Sequence, residues 1–372
     1  MDVFALMQLL LAGLAVASIP LAWVWVRSDP DRYRGLIWIT VFLTFDLILF
    51  GAFTRLTDSG LGCPDWPGCY GHASPLAAAE QIRAAAAAMP TGPVTFTKAW
   101  IEMLHRYFAM GVGALITVLM VLAWARRADF RRSPWPATGL FALVCVQGAF
   151  GAWTVTLKLM PLIVTLHLLL GVALLCGLGA LAARCERPDF DTDLAATLRV
   201  PVVLVLSLVF VQIGLGGWVS TNYAVLACAD FPLCNGAWLP EADFARGFDL
   251  TRPLGMNDDG SLLPVPALVA IHWVHRVFAL VVTVAVLWLA LRLWRESGGA
   301  VRPKRLALGL GGLILLQIAS GISNVVFAWP LAVAVVHNGG AAALAVTLAL
   351  LNARLAAAAR VEPGFWPIRA GA

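Results

Sequence analysis

Charge is scarce in this chain of 372 residues. Lys, Arg, Asp and Glu make up 13% of it, and 60% is hydrophobic. Soluble globular chains are nearer a quarter charged and half apolar. That shortage excludes an ordinary cytosolic enzyme and a disordered chain. The net charge of +5 comes without a long basic stretch. Lys and Arg sit in short clusters between apolar runs, a pattern of membrane topology rather than of a nucleic-acid groove. Seven cysteines are too few for a disulfide scaffold, so each is read by position. The 15 tryptophans suit a protein with many membrane interfaces.

Apolar runs of about 20 residues can cross the hydrocarbon core, and in lipid they must be helical. Nine such runs are present, at about 3–26, 36–54, 98–124, 136–157, 161–183, 198–221, 266–294, 304–328 and 330–356. The tight connections at Lys158–Pro161 and Ala328–Pro330 imply antiparallel neighbours. One set of connections is basic, with Arg27, Arg32 and Arg34; Arg126, Arg127, Arg131 and Arg132; Arg184, Arg187 and Arg199; Arg292, Arg295, Arg302, Lys304 and Arg305; and Arg354, Arg360 and Arg369. The other set includes the long loops 57–97 and 222–265. Positive charge stays cytoplasmic, so the long loops and the N-terminus are expected outside and the C-terminus inside. The first run lacks a basic leader and a clear cleavage site, and reads as a retained helix.

The chain repeats itself. His105-Arg106 recurs as His275-Arg276, Gln147 as Gln317 and His167 as His337, each 170 residues on. Cys63-Pro-Asp-Trp-Pro-Gly-Cys69 recurs as Cys228-Ala-Asp-Phe-Pro-Leu-Cys234, 165 residues on. The expected fold is an all-α polytopic membrane protein of two parallel-repeat four-helix bundles plus one extra N-terminal transmembrane helix. The expected division is 1–35 (accessory helix and cytoplasmic loop), 36–185 (first repeat) and 186–372 (second repeat).

Four of the six histidines are placed by the repeat. His105 and His275 lie near the start of the second helix of their halves, His167 and His337 near the start of the fourth. All four fall within roughly two turns of the outer helix ends, so each half can face two imidazoles at one depth. Intramembrane ionisable residues are functional suspects. Opposed imidazoles suit the two axial positions of a haem iron, and neighbouring glycines let a flat macrocycle approach the backbone. A tetrahedral zinc set lacks a carboxylate or thiolate at that depth. His72, without a counterpart, reads as surface.

Glu102 lies three residues before His105 on the same helical face, and its counterpart is His272. It either handles protons and positive charge during an oxidation or only solvates the helix start. Asp46 reads as a structural hydrogen-bonding acid. Arg55, Arg106 and Arg276 either pair with haem propionates or anchor at the interface. The Cys63/Cys69 and Cys228/Cys234 pairs fall in outer loops, where disulfides persist as structural clips or as redox-active pairs. Cys145, Cys176 and Cys185 read as small core residues. Residues 75–90 are expected to form a short surface helix.

The run Thr54-Arg-Leu-Thr-Asp-Ser-Gly-Leu-Gly-Cys-Pro-Asp-Trp-Pro67, then Glu102-Met-Leu-His-Arg106, Gln212-Ile-Gly-Leu-Gly-Gly-Trp218 and Asn222-Tyr223 resemble the haem A synthase family of bacteria and mitochondria. The resemblance spans about 36–356 and omits the first helix, an addition to that family's usual eight spans. It implies oxidation of the C8 methyl of haem O to a formyl group by successive hydroxylations, for cytochrome oxidase assembly. It implies that His105, His167, His275 and His337 are axial ligands and that Glu102 is the essential glutamate. One half would hold haem b and the other the haem O substrate. Because only the first half keeps a carboxylate beside its ligand, the substrate is expected there and haem b in the second half. The implied setting is the bacterial inner membrane, with haem O supplied by haem O synthase. Membrane lipid is the other partner and nucleic acid none; the electron acceptor, the oxygen source and a homo-oligomeric state are left open. Ligation by two histidines leaves no free iron position, so either a ligand swings away or water supplies the oxygen. Two rival readings remain. One is a di-haem b-type electron-transfer cytochrome reacting with quinone, and the other is a transporter, whose sites sit nearer mid-membrane.

Overall fold

The computed structural model describes residues 3–26, 31–127, 133–186, 190–257 and 260–359. Arg27, Arg131, Arg132, Arg187, Arg360 and Arg369 of the basic clusters lie outside them. Eleven α-helices are described: α1 Val3–Val26, α2 Arg32–Leu56, α3 Ala79–Ala88, α4 Phe96–Ala125, α5 Trp135–Thr156, α6 Pro161–Ala183, α7 Thr192–Thr221, the single turn α8 Phe244–Gly247, α9 Val265–Glu296, α10 Val301–Val326 and α11 Leu331–Ala358. All but α3 and α8 are long and apolar enough to span a bilayer, which makes nine candidate spans. The chain is an all-α polytopic membrane protein. The expected spans match the helices, except that several start earlier; α7 begins at Thr192, where Asp191 caps Asp193.

Local chemistry explains the starts. Thr95 accepts from the Lys98 amide at the head of α4, and Asp31 from the Arg34 amide at the head of α2. Prolines occupy the first turn of α5, α6 and α9, where their missing amide costs nothing. The α5–α6 and α10–α11 connections are built alike. Lys158 and Leu159, and Ala328 and Trp329, are left-handed, and the Leu159 and Trp329 amides each donate 2.8 Å to a carbonyl of the preceding helix, Thr154 and Asn324. Left-handed backbone at non-glycine residues costs about 1–2 kcal/mol each.

Most spans are apolar on every side, as helices in contact with both lipid and other helices can be; α4 and α10 are more one-sided. On α9, Val282, Val286, Leu289 and Leu293 are buried, while Leu280, Val284 and Leu291 face outward. Helices α2, α4, α5 and α6 close one ring of contacts, and α7, α9, α10 and α11 a second; α6 and α11 form the seam with α2 and α7. Helix α1 leans on α4, with Gly13 against Met110 and Gly111 against Val16. Helix α3, the short helix expected between 75 and 90, buries Ile82 beside Met103 of α4.

Candidate functional site

Four histidines look into the two helix rings from matching places. His105 is the tenth residue of α4, His275 the eleventh of α9, and His167 and His337 the seventh of α6 and α11. Because α4 and α9 begin earlier than expected, their histidines lie nearer three turns than two from the helix ends. Each imidazole rests on a glycine of the neighbouring helix. A Cβ on Gly51 or Gly216 would stand 3.0 Å from the ring of His105 or His275. On Gly151 or Gly321 it would stand 3.3 Å from the ring of His167 or His337. His105 and His167 are electrostatic neighbours, and so are His275 and His337. All four rings are only half-buried. The Phe50 ring meets His105 edge-on at 5.9 Å.

Glutamine amides brace three of these histidines. Gln147 donates to the His167 carbonyl (2.9 Å), Gln317 to that of His337 (3.0 Å) and Gln212 to that of His275 (3.2 Å). Ser320 Oγ lies 2.8 Å from His337 Nδ1, and Gln212 Nε2 lies 3.1 Å from His275 Nδ1. His167 Nδ1 is buried without a hydrogen-bond partner. Among the described residues no group of three or more His, Cys, Asp or Glu gathers as a metal cluster. The donor set is two imidazoles per ring of helices. Residues of this kind, backed by glycine and carrying an orphaned imidazole nitrogen, fit a haem iron held from both faces.

Both cysteine pairs form disulfides, Cys63–Cys69 and Cys228–Cys234. Each closes a loop whose aspartate caps it. Asp65 accepts from the Tyr70 and Gly71 amides, and Asp230 from those of Asn235 and Gly236. These bonds hold the Asp230 carboxyl below the usual carboxylate range.

Glu102 is 4% exposed and serves this loop. It accepts from the Cys63 amide at 2.8 Å and from Arg106 Nη2. His272 faces the same two groups, its Nδ1 3.3 Å from the Cys228 amide and its Nε2 3.1 Å from Arg276 Nε, but a neutral imidazole accepts at one ring nitrogen only. Glu102 is therefore a brace of the disulfide loop, a role beyond solvating the helix start.

The three arginines expected at propionates or as interfacial anchors are committed to protein groups. Arg106 donates to the carbonyls of Asp65, Pro67 and Gly68, and Arg276 to those of Asp230, Leu233 and Cys228. Arg55 donates to the Ser220 carbonyl (2.6 Å), to Tyr223 and to Asp58. For Arg106 and Arg276 these contacts have a physical reason: each disulfide loop turns several carbonyls inward that need donors.

Other expectations need correction. Asp46, expected to be hydrogen-bonded, has no partner in the described structure. Cys145 is exposed on α5, not a core residue, whereas Cys176 and Cys185 are buried. His72 stays on the surface, 3.3 Å from Gln81. Sequence reasoning missed Arg252. It is 1% exposed, donates to Asn222 and lies 5.7 Å from the Trp218 ring, with burial pulling its pKa down. The repeat could not reveal it, because the two long loops differ there. It missed Ser320 as well, which no motif contains.

A family model described as cytochrome oxidase assembly protein matches residues 34–349. A protein of Shewanella oneidensis named heme A synthase is 40% identical over 319 residues, covering 85% of this chain and 94% of its own length. Proteins with the same name from Rhizorhabdus wittichii and Caulobacter sp. (strain K31) are each 30% identical. They cover 86% and 87% of this chain and 92% and 96% of their own lengths.

Proposed function

The chain belongs to the haem A synthase family and is a membrane oxidoreductase of haem A biosynthesis, and from that premise we propose that it oxidises the C8 methyl of haem O to a formyl group. The oxidation runs by successive hydroxylations and loss of water. Residues 36–185 receive haem O between His105 and His167. Residues 186–372 keep a resident haem b between His275 and His337, and 1–35 is accessory. When bound, that haem supplies one-electron transfer. The protein's own residues do the rest. The glycines beneath the imidazoles let the macrocycle lie against the helices, and the disulfide loops, braced by Arg106 and Arg276, cap the sites. Among the described residues Glu102 is the one carboxylate braced beside a candidate ligand. It takes the proton, or balances the positive charge, that appears as the methyl is oxidised.

The observation that carries this reading is the matched seating of four imidazoles on four glycines, with Glu102 beside one pair and neutral His272 beside the other. The clusters of Arg and Lys support a bacterial inner-membrane topology with the disulfide loops and N-terminus outside and the C-terminus cytoplasmic. Haem O comes from haem O synthase in the same membrane.

The test is co-expression with an enzyme that makes haem O, followed by separation of the extracted haems and substitution of each histidine. Haem A is expected with the natural chain. His105→Ala and His167→Ala should stop haem A while leaving bound haem b, and His275→Ala and His337→Ala should strip haem b. A chain that yields haem b alone, whatever the haem O supply, overturns the proposal in favour of an electron-transfer cytochrome.

A further inference from the structure

The two halves brace their histidines differently, and the difference lies in two positions. Gln147 and Gln317 make the same bond in both halves, each to a histidine carbonyl. The second half adds polar partners at the imidazole nitrogens themselves. Ser320 Oγ stands 2.8 Å from His337 Nδ1, and its own proton goes to the Leu316 carbonyl at 2.6 Å. Its free lone pairs therefore accept from Nδ1–H. That fixes the tautomer whose Nε2 lone pair can bind iron.

Gln212 stands 3.1 Å from His275 Nδ1, and its Oε1 is buried without a partner. Amide oxygen and nitrogen are interchangeable by a half-turn. The turn brings Oε1 within reach of Nδ1–H of the iron-binding tautomer; it gives up the bond to the His275 carbonyl, from which the amide oxygen then draws back because both oxygens only accept.

In the first half the repeat puts Leu47 where Gln212 stands and Phe150 where Ser320 stands. Neither side chain can accept a proton. His167 Nδ1 is correspondingly buried and unpartnered.

We propose that Gln212 and Ser320 are positioning residues that lock the second-half imidazoles for a haem that stays, and that Leu47 and Phe150 leave the first-half imidazoles unlocked so that their haem can enter and leave. The inference rests on the assignment of substrate to the first half. It adds the reason for the asymmetry. A substrate haem must make and break its axial bonds in every cycle, whereas a resident one must not. A hydrogen bond to Nδ1–H makes a ligating imidazole a stronger and better oriented donor, and its loss costs metal affinity roughly 10–100-fold.

The experiment uses the full chain in detergent with His105 and His167 both changed to Ala, so that only second-half haem remains. Transfer of that haem to excess apomyoglobin is timed, and the midpoint potential and low-spin signal are recorded. Ser320→Ala and Gln212→Leu should each speed transfer about tenfold or more and shift the potential, with helicity unchanged. Ser320→Thr, which restores the hydroxyl, should return both to the starting values. In the otherwise natural chain, Leu47→Gln with Phe150→Ser should slow haem release from the first half and raise the haem A that co-purifies with it.

Unaltered transfer and potential in Ser320→Ala and Gln212→Leu overturn the inference, and so does a Leu47→Gln/Phe150→Ser chain that releases haem as before. If the histidine double variant holds no haem at all, the failure is a different one: the resident haem is not in the second half, and the underlying assignment falls together with this inference.

Discussion

Glu102 and His272 face the same two donors, the amide of the first loop cysteine and the arginine four residues on; the carboxylate accepts from both and a neutral imidazole from one. Placement is thus shared between the halves, and charge and accepting capacity are not. Glu102→Gln keeps an acceptor for the Cys63 amide but takes the counter-charge from Arg106, whose side chain is only 10% exposed, so it should lower the thermal midpoint as well. We expect both disulfides and the bound haem to survive and haem A formation to fall about 100-fold or more, the usual contribution of a positioned acid–base group. A normal rate of haem A formation in the variant would leave Glu102 with its bracing role alone. Asp230 offers a second test at the same scale. Its carboxyl is held low by the Gly236 and Asn235 amides, so its ionised form is favoured in the folded loop. The stabilisation is therefore complete above the ordinary carboxylate range and is lost as pH falls through the lowered folded value. Hydrogen exchange of the Asn235 and Gly236 amides, corrected for intrinsic rate, should show protection at neutral pH that fades in strong acid. Asp230→Asn should lack that pH dependence.

Between helices, glycine sets how closely a histidine can lie against its neighbour. A Cβ on Gly51 would come 3.0 Å from His105 Nε2, and one on Gly216 just as near the His275 ring. Gly216→Val should push His275 off its seat and lower the Soret absorption of the purified chain. Gly51→Val should leave that absorption intact and stop haem A formation. Equal loss of Soret absorption in both would contradict the division of labour between the halves. At this scale much was legible beforehand. The nine spans, the histidine positions and the cysteine loops follow from apolar run length and from the 165- and 170-residue offsets. What the histidines touch was not legible. Ser320 and Gln212 become partners of Nδ1 only through the rotation of α10 against α11 and of α7 against α9, and the apolar pattern does not encode that rotation where, as on α7, α9 and α11, it runs round every side. The arginines were opaque for a related reason, since a sequence does not show which loop carbonyls turn inward.

Over the whole molecule the two rings of helices are tied at both ends, by different chemistry. At the disulfide end, Arg55 of the first half reaches the Ser220 carbonyl and lies 4.2 Å above the Tyr223 ring, while Tyr223 donates to Asp58 at 2.7 Å. At the opposite end Glu186, which follows α6 of the first ring, accepts from Arg302 (3.2 Å) of α10 and Arg354 (2.7 Å) of α11. The first tie lies at the end that carries the histidines and spans the rims of both sites. The second lies beyond the opposite end of α6, away from the sites. If electrons pass between the halves, the spacing of the two sites is what the disulfide-end tie protects, and its loss should show in rate before stability. Arg55→Lys keeps the charge but loses the planar fork that reaches the Ser220 carbonyl and Tyr223 together. It should lower haem A formation several-fold with haem b content unchanged. Glu186→Gln strands Arg354, whose side chain is only 11% exposed, without its counter-charge. It should lower the thermal midpoint by several degrees with little effect on the rate measured well below it, since a mostly buried cation left unpaired is costly. Activity and melting measured side by side on the two variants decide the matter. The reverse pattern, a stability loss from Arg55→Lys and a rate loss from Glu186→Gln, would mean that the spacing of the sites is set from the far end of the seam.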